Sequence, residues 1–226
     1  ILNSLGLPTK GVKKFISSFV SKKMTNFNRP IGISIGGKNP EEYFEVFKEI
    51  EHHLNSLNYA HFFYEINISC PNTSDGKCLS DDLENLKELL LKFRNTSSRI
   101  IVVKVSPDSP DNDIIEICNI LAQIPTTAIN IGNSKYVRAD KVGLSSKSFS
   151  MDGGGLSGKN LYGNTLRLVK LVSSKYDIPI IATGGVSSYD NVRELLDNGA
   201  SLTGVATLLV TDPFQIPLIN HRLSSD

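Results

Sequence analysis

Ile100-Ile101-Val102-Val103-Lys104-Val105 is a run of branched aliphatic residues interrupted by a single lysine. Such a run, without alternation of polar and apolar positions, is typical of a parallel strand covered on both faces. Other strand-like runs are Ile31–Ile35, Phe62–Ile68, Thr127–Ile131, Ile178–Ala182 and Ser201–Ala206. Amphipathic stretches between them predict helices over Pro40–Leu54, Ser80–Phe93, Asn112–Gln123, Asn164–Tyr176 and Tyr189–Asn198. The alternation predicts an α/β fold with a parallel sheet.

Two architectures fit this alternation, a doubly wound open sheet and a (β/α)8 TIM barrel. An open sheet concentrates its site at one switch point, whereas a barrel draws site residues from many strands. Here a polar residue or glycine lies at or near the end of each predicted strand: Ser34, Asn67, Lys104, Asn133, Gly184 and Thr207. The barrel is therefore favoured. Since a closed barrel needs eight strands, we expect the first two βα units to lie upstream of Ile1 and residues 1–226 to form a single domain.

The composition excludes several classes of function. The formal net charge of +1 gives no electrostatic reason to expect nucleic acid or an anionic membrane as a partner. No apolar run approaches the roughly 18 residues needed to span a bilayer. Three cysteines do not make a disulfide framework, so a reducing, cytoplasmic location is expected, with membrane association through an upstream segment left open. No cysteine or histidine spacing predicts a metal site.

The run Asn67-Ile68-Ser69-Cys70-Pro71-Asn72-Thr73 places carboxamides, hydroxyls and a thiol where an extended stretch enters a loop. Pro71 fixes the backbone and ends the strand, because proline locks φ and donates no hydrogen bond. Polar groups at such a position can reach a bound molecule. The sequence thus predicts chemistry at this loop; the alternative is that Cys70 is only a small buried apolar residue.

Two glycine clusters follow the last two predicted strands. Thr183-Gly184-Gly185 ends one strand, and Gly204-Val205-Ala206-Thr207 ends the other. Glycine lets backbone amides approach an anion closely, and a phosphate site after the last two strands is common in barrels. The alternative is that these glycines only form tight turns. Lys104, in an apolar strand, must either reach solvent or meet an anion.

The longest stretch without periodicity runs from Lys135 to Lys159. A loop of that length inside a compact domain is usually functional or mobile. We therefore expect an irregular loop there that is either functional or mobile.

Taken together, these residues resemble the dihydroorotate dehydrogenase family, FMN enzymes on a (β/α)8 barrel. Asn67–Thr73 is similar to the active-site loop of that family, and the likeness covers nearly the whole chain. Five further segments match the family in order. Asn3-Ser4-Leu5-Gly6-Leu7-Pro8 resembles its substrate-binding segment, Lys104 its flavin-contacting lysine, and Gly154-Gly155-Leu156-Ser157-Gly158 its loop beside the flavin. Thr183-Gly184-Gly185 and Val205-Ala206-Thr207 resemble its two phosphate-binding turns.

The resemblance implies a role for each matching position. Cys70 is implied as the base that removes a proton from C5 of dihydroorotate while hydride passes from C6 to flavin N5. The implied substrate-binding residues are Asn3, Leu5, Gly6, Leu7, Asn67, Asn72, Asn133 and Ser134. The implied FMN-binding residues are Asn67, Lys104, Ser157, Gly158, Thr183, Gly184, Gly185, Val205, Ala206 and Thr207. Asn130 competes with Asn133 for its role, and the spacing to the Gly154 loop favours Asn133.

The implied function is oxidation of dihydroorotate to orotate in pyrimidine biosynthesis. Alternatives are a related FMN-dependent pyrimidine oxidoreductase, similar to dihydropyrimidine dehydrogenase, or a truncated remnant without catalysis. The electron acceptor is open, because a cysteine base resembles the soluble classes, while Gly154–Gly158 occurs in both quinone-linked and NAD-linked forms and Asp212-Pro213-Phe214 looks most like the NAD-linked form. A homo-oligomer acting on a small molecule is expected.

Overall fold

The computed structural model describes residues 1–6, 9–26, 29–69, 79–149 and 152–225. Within these ranges, six parallel strands form the main sheet: β2 Ile31–Ile35, β3 Phe62–Asn67, β4 Ile101–Val105, β5 Thr127–Ile131, β8 Ile180–Thr183 and β9 Leu202–Gly204. They lie side by side in the order β2-β3-β4-β5-β8-β9. The predicted α/β fold with a parallel sheet is confirmed, and every predicted strand is present to within two residues at both ends. The observed strands at Ile178–Ala182 and Ser201–Ala206 are shorter than predicted.

Helices follow most of these strands. Their bounds are α1 Val12–Ser21, α2 Pro40–Ser56, α3 Leu83–Thr96, α4 Asp111–Leu121, α5 Tyr162–Ser173, α6 Tyr189–Asp197, α7 Thr207–Thr211 and α8 Gln215–Leu223. The helix predicted to begin at Ser80 begins three residues later, because Asp82 caps it and accepts a hydrogen bond from the Asn85 N–H at 3.2 Å. Helix α6 ends, as its Asn198-Gly199 pair predicts, at a glycine with φ of 103°.

A second, antiparallel sheet corrects the prediction for residues 135–159. Strands β1 Leu2–Asn3, β7 Gly153–Leu156 and β6 Lys135–Arg138 form it in the order β1-β7-β6. Short 3₁₀ turns at Ala139–Val142 and Ser146–Ser148 lie between β6 and β7. The described part of the stretch is therefore not an irregular loop. The sequence gives no strand signal for β7, because its three consecutive glycines carry no side-chain alternation.

The described chain divides into two compact units. The C-terminal unit comprises Ile1–Leu5, Lys104–Ala122 and Ala128–Asp226, and the N-terminal unit comprises Gly6–Val103 and Gln123–Thr127. The N-terminal unit has a core rich in aromatic side chains, in which Phe47 stacks on Phe93 with ring centroids 4.1 Å apart. No helix within the described ranges is long and apolar enough to cross a membrane.

A largely buried ionic cluster, made of Glu51, Tyr64 and Arg99 with the exposed Asn55 at its edge, links α2 to β3 in the N-terminal unit. The Tyr64 hydroxyl donates to Glu51 Oε2 at 2.6 Å, and Arg99 Nε lies 3.3 Å from the same oxygen. Asn55 Nδ2 donates to Glu51 Oε1 at 3.2 Å, and the Arg99 guanidinium also covers the ring of Phe62 at 3.7 Å. Burial, first, and the bond to Glu51 raise the pKa of Tyr64 far above its usual value, so its hydroxyl is a permanent donor.

Helix α2 also holds the other end of the same strand. The hydroxyl of Tyr43, a buried residue of α2, donates to the main-chain carbonyl of Asn67 at 2.7 Å. Asn67 is the last residue of β3. Together with the ionic cluster, this bond fixes both ends of the strand that leads into the Asn67–Thr73 motif.

Candidate active site

A cavity of about 290 Å³ lies in the C-terminal unit where several strands end. Many of the residues that the sequence singled out line it: Asn3, Lys104, Asn133, Ser134, Ser157, Gly158, Thr183, Gly184, Gly185, Ala206 and Thr207. They come from β1, β4, the segment after β5, the segment after β7, and the turns after β8 and β9. Residues distant in sequence thus converge on one concave site, as expected where the C-terminal ends of parallel strands meet.

The charged residues that line this cavity, among those described, are all cationic. Lys104 and Lys159 line it, and no Asp or Glu occurs among the described residues that do so. Lys104 is the one half-buried position of β4, whose other residues are all buried. An ammonium group at the wall of a cleft without a carboxylate favours an anionic ligand.

The turn after β8 is packed too closely for side chains at its two glycines. Gly184 and Gly185 have φ of 132° and 75°, in the region that favours glycine. A Cβ built on Gly185 would lie 2.3 Å from the main-chain nitrogen of Tyr162, and one on Gly204 would lie 2.3 Å from Thr183 Oγ1. The glycines are therefore required for the close packing of these turns against neighbouring segments.

The three glycines of β7 place two further residues at the cavity. A Cβ on Gly154 would lie 2.2 Å from the carbonyl oxygen of Asn3, and one on Gly155 would lie 2.2 Å from Ser134 Oγ. Asn3 and Ser134 both line the cavity. Strand β7 is therefore a backbone support that these two residues approach more closely than any side chain would allow.

We expect Gly155→Ala to displace Ser134 and to destabilise the protein by about 1–3 kcal/mol, the usual cost of overpacking. Urea unfolding measures the stability, and ligand affinity reports the displacement. Gly163→Ala is the matched control, because a Cβ there meets nothing within 4 Å and, in α5, alanine is the better helix former. Equal stability of the two variants would contradict this role of Gly155.

The structure favours Asn133 over Asn130 as the ligand-facing amide. Asn130 is 7% exposed inside β5, every residue of which is buried. Asn133 follows the strand, is half-buried and lines the cavity. Its Oδ1 accepts a hydrogen bond from the Ser134 N–H at 2.9 Å, which orients the amide.

Other predicted site residues are not brought to this cavity. Leu5 is 76% exposed, and neither Leu5 nor Val205 is among its lining residues. Gly6 and Asn67 belong to the N-terminal unit, where Asn67 lines a separate cavity of about 420 Å³ and its Oδ1 accepts from Ser69 Oγ at 3.0 Å. Cys70, Leu7 and Asn72 lie outside the described residues, so their assigned roles stay predictions.

Sequence reasoning overlooked several lining residues: Gly132, Lys159, Leu161, Val186, Ser187, Leu208 and Thr211. Ser187 had a detectable signal, because it begins a Ser-Ser pair before α6, where Ser188 caps the helix by accepting from the Asn191 N–H at 3.2 Å. Lys159 directly follows the matched Gly154–Gly158 segment and had no other signal.

Cys118, the only cysteine within the described ranges, is unsuited to act as a base. It is fully buried on α4, and burial raises the pKa of its thiol to about 12. Its thiolate is therefore scarcely populated near neutral pH.

Comparison with known proteins identifies the family. The family model for dihydroorotate dehydrogenase matches residues 1–226, the whole chain. The chain belongs to the dihydroorotate dehydrogenase family. The catalytic subunit of the NAD(+)-type dihydroorotate dehydrogenase B of Bacillus thuringiensis is 30% identical over 224 residues, which are 99% of this chain and 70% of that protein.

Relatives of a second type match equally well. The quinone-type dihydroorotate dehydrogenase of Wigglesworthia glossinidia brevipalpis is 31% identical over 238 residues, covering 100% of this chain and 68% of that one. A crystal structure of dihydroorotate dehydrogenase from Eimeria tenella, in complex with ferulenol, matches with a TM-score of 0.72 and 18% identity, over 92% of this chain. The chain spans 62% of the length of that protein. This likeness shows the fold, which is consistent with the predicted (β/α)8 barrel in partial form.

Proposed function

We propose that this chain oxidises dihydroorotate to orotate, with FMN as its cofactor, in the de novo biosynthesis of UMP. The observation that supports this most is the cavity of the C-terminal unit. It collects ligand-type residues from separate strand ends, together with two lysines and no carboxylate among its described lining residues. Both dihydroorotate and FMN are anions, so the charge of the site suits them.

The residues present fit FMN. The turns at Thr183–Gly185 and Ala206–Thr207 line the cavity, and their main-chain amides and two hydroxyls are donors that suit a phosphate group. Lys104 would lie beside the flavin ring, where a cation stabilises the charge of the reduced form. When bound, FMN supplies the hydride acceptor.

The side chains of this chain would bind the substrate and remove its proton. Asn3 and Asn133 present amides that can both donate and accept, as a pyrimidine edge requires, and Ser134 adds a hydroxyl. Asn67 and Asn72 would contribute further amides. Cys70 would take the C5 proton, which needs a site that favours the thiolate or couples its formation to the reaction.

The identity of the reaction is tested with the purified protein under anaerobic conditions. We expect the protein to be yellow, to release FMN on denaturation, and to lose its colour with dihydroorotate but not with dihydrouracil. Bleaching by dihydrouracil instead would favour the dihydropyrimidine dehydrogenase-like alternative. A colourless protein that takes up no added FMN would favour the non-catalytic remnant.

Lys104→Ala is expected to weaken FMN binding, or to slow flavin reduction, by about 10- to 100-fold, the value of a lost hydrogen bond to a charged group. Flavin content and stopped-flow absorbance measure the two effects. Lys135→Ala is the control, because Lys135 is an exposed lysine of the same unit that pairs with Asp108 at 3.7 Å and does not line the cavity. Wild-type behaviour of Lys104→Ala in both measurements would remove the role of this lysine.

A further inference from the structure

Lys159 is the second cation of the cavity, and none of the roles described above uses it. It follows Gly158 and opens the 3₁₀ turn Lys159–Leu161 that leads into α5. It lines the cavity while remaining exposed to solvent. Within the described part of the chain, no carboxylate forms an ion pair with it.

The segment that carries Lys159 packs against both glycine-containing turns. On one side, a Cβ on Gly158 would lie 3.7 Å from Thr207 Cγ2, so this residue borders the turn after β9. On the other side, a Cβ on Gly184 would lie 3.7 Å from Leu161 Cβ, and one on Gly185 would lie 2.3 Å from the nitrogen of Tyr162. Lys159 thus lies within the five-residue segment 158–162, and residues on both sides of it border the two turns.

These two turns supply uncharged groups only. Main-chain amides and the hydroxyls of Thr183 and Thr207 can donate hydrogen bonds, but they cannot neutralise the charge of a phosphate monoester. Lys104 belongs to β4, whereas Lys159 lies beside the turns that follow β8 and β9. Of the two cations, Lys159 is therefore the one placed for a charge held at those turns.

We propose that Lys159 is a specificity residue of the cofactor site: its ammonium group pairs with the terminal phosphate of the flavin and makes the site prefer FMN to riboflavin. This inference rests on the proposed function and assigns a separate role to each of the two lysines. Lys104 serves the ring of the flavin, and Lys159 serves its phosphate. Because Lys159 is exposed, water and salt screen the interaction, and its contribution is moderate.

The test compares the binding of two flavins by the flavin-free full chain. Flavin fluorescence is titrated with wild-type protein and with Lys159→Gln, using FMN and riboflavin as the probes. We expect the Kd for FMN to rise about three- to tenfold in the variant, while the Kd for riboflavin stays unchanged. Added salt is expected to weaken FMN binding to the wild type more than to the variant.

Two further variants complete the test. Lys175→Gln removes an exposed lysine beyond the opposite end of α5, outside the cavity lining, and is expected to bind both flavins as the wild type does. Lys159→Arg retains the charge and is expected to keep most of the preference for FMN.

Other outcomes would contradict either the role of Lys159 or the proposed function. An unchanged Kd for FMN in Lys159→Gln, or an equal loss for both flavins, would overturn the role of Lys159 while leaving FMN binding by the wild type intact. Wild-type protein that binds neither flavin would instead remove the proposed function itself, and with it this inference.

Discussion

Cys70→Ser is expected to slow flavin reduction by dihydroorotate by about 10²- to 10⁴-fold near neutral pH, the usual contribution of a positioned general base. A serine hydroxyl is a far weaker acid than a thiol, so the deprotonated form that accepts the C5 proton is almost absent. FMN should remain bound, because the phosphate turns and Lys104 lie on other segments of the chain. Anaerobic stopped-flow absorbance gives the rate, and the flavin-to-protein ratio gives the occupancy.

Cys118→Ala provides the control for thiol loss. The Cys118 side chain is buried on α4, so its truncation affects packing and leaves turnover per bound flavin unchanged. If Cys70→Ser reduced its flavin at the wild-type rate from pH 6 to pH 9, Cys70 would not be the base.

Glu51→Ala is expected to lower the free energy of unfolding by about 3–5 kcal/mol, because breaking a buried ion pair leaves an uncompensated charge. The side chain of Arg99 is only 17% exposed and would lose its carboxylate, and the Tyr64 hydroxyl would lose its acceptor. Urea unfolding followed by circular dichroism measures the change.

Glu45→Ala is the matched control on the same helix. Glu45 also pairs with a cation, Lys48 at 2.7 Å, but its side chain is 70% exposed. Its removal is expected to change stability by about 1 kcal/mol or less. Comparable losses for the two variants would show that burial of the Glu51 cluster adds nothing.

The sequence predicts the main sheet well because its signal is local. The aliphatic run around Lys104 and the glycines after β8 each show their structural role within a few residues. Strand β7 gives no such signal, because its place depends on the carbonyl of Asn3 and on Ser134, which are distant along the chain or carry no pattern. Asp82, rather than Ser80, starts α3 because capping is decided by one side-chain geometry that composition does not reveal.

The candidate site, too, was in part indicated by the sequence and in part not. Asn133, Lys104 and residues of the two turns that the resemblance implies for the phosphate all line one cavity, since each lies at or near a strand end that the fold positions. The resemblance could not place Lys159, whose importance depends on the packing of its neighbours against two turns. It also could not show that Asn67 is fixed by a hydrogen bond from α2.

The glycine run of β7 has a consequence for how such a site can diverge. Three successive positions, Gly153, Gly154 and Gly155, have no room for even a methyl group, and the atoms that exclude it are main chain at two of the three. Substitution of these three glycines is therefore disfavoured. We expect a shift in ligand preference to arise more readily in the residues that approach them, above all Asn3 and Ser134.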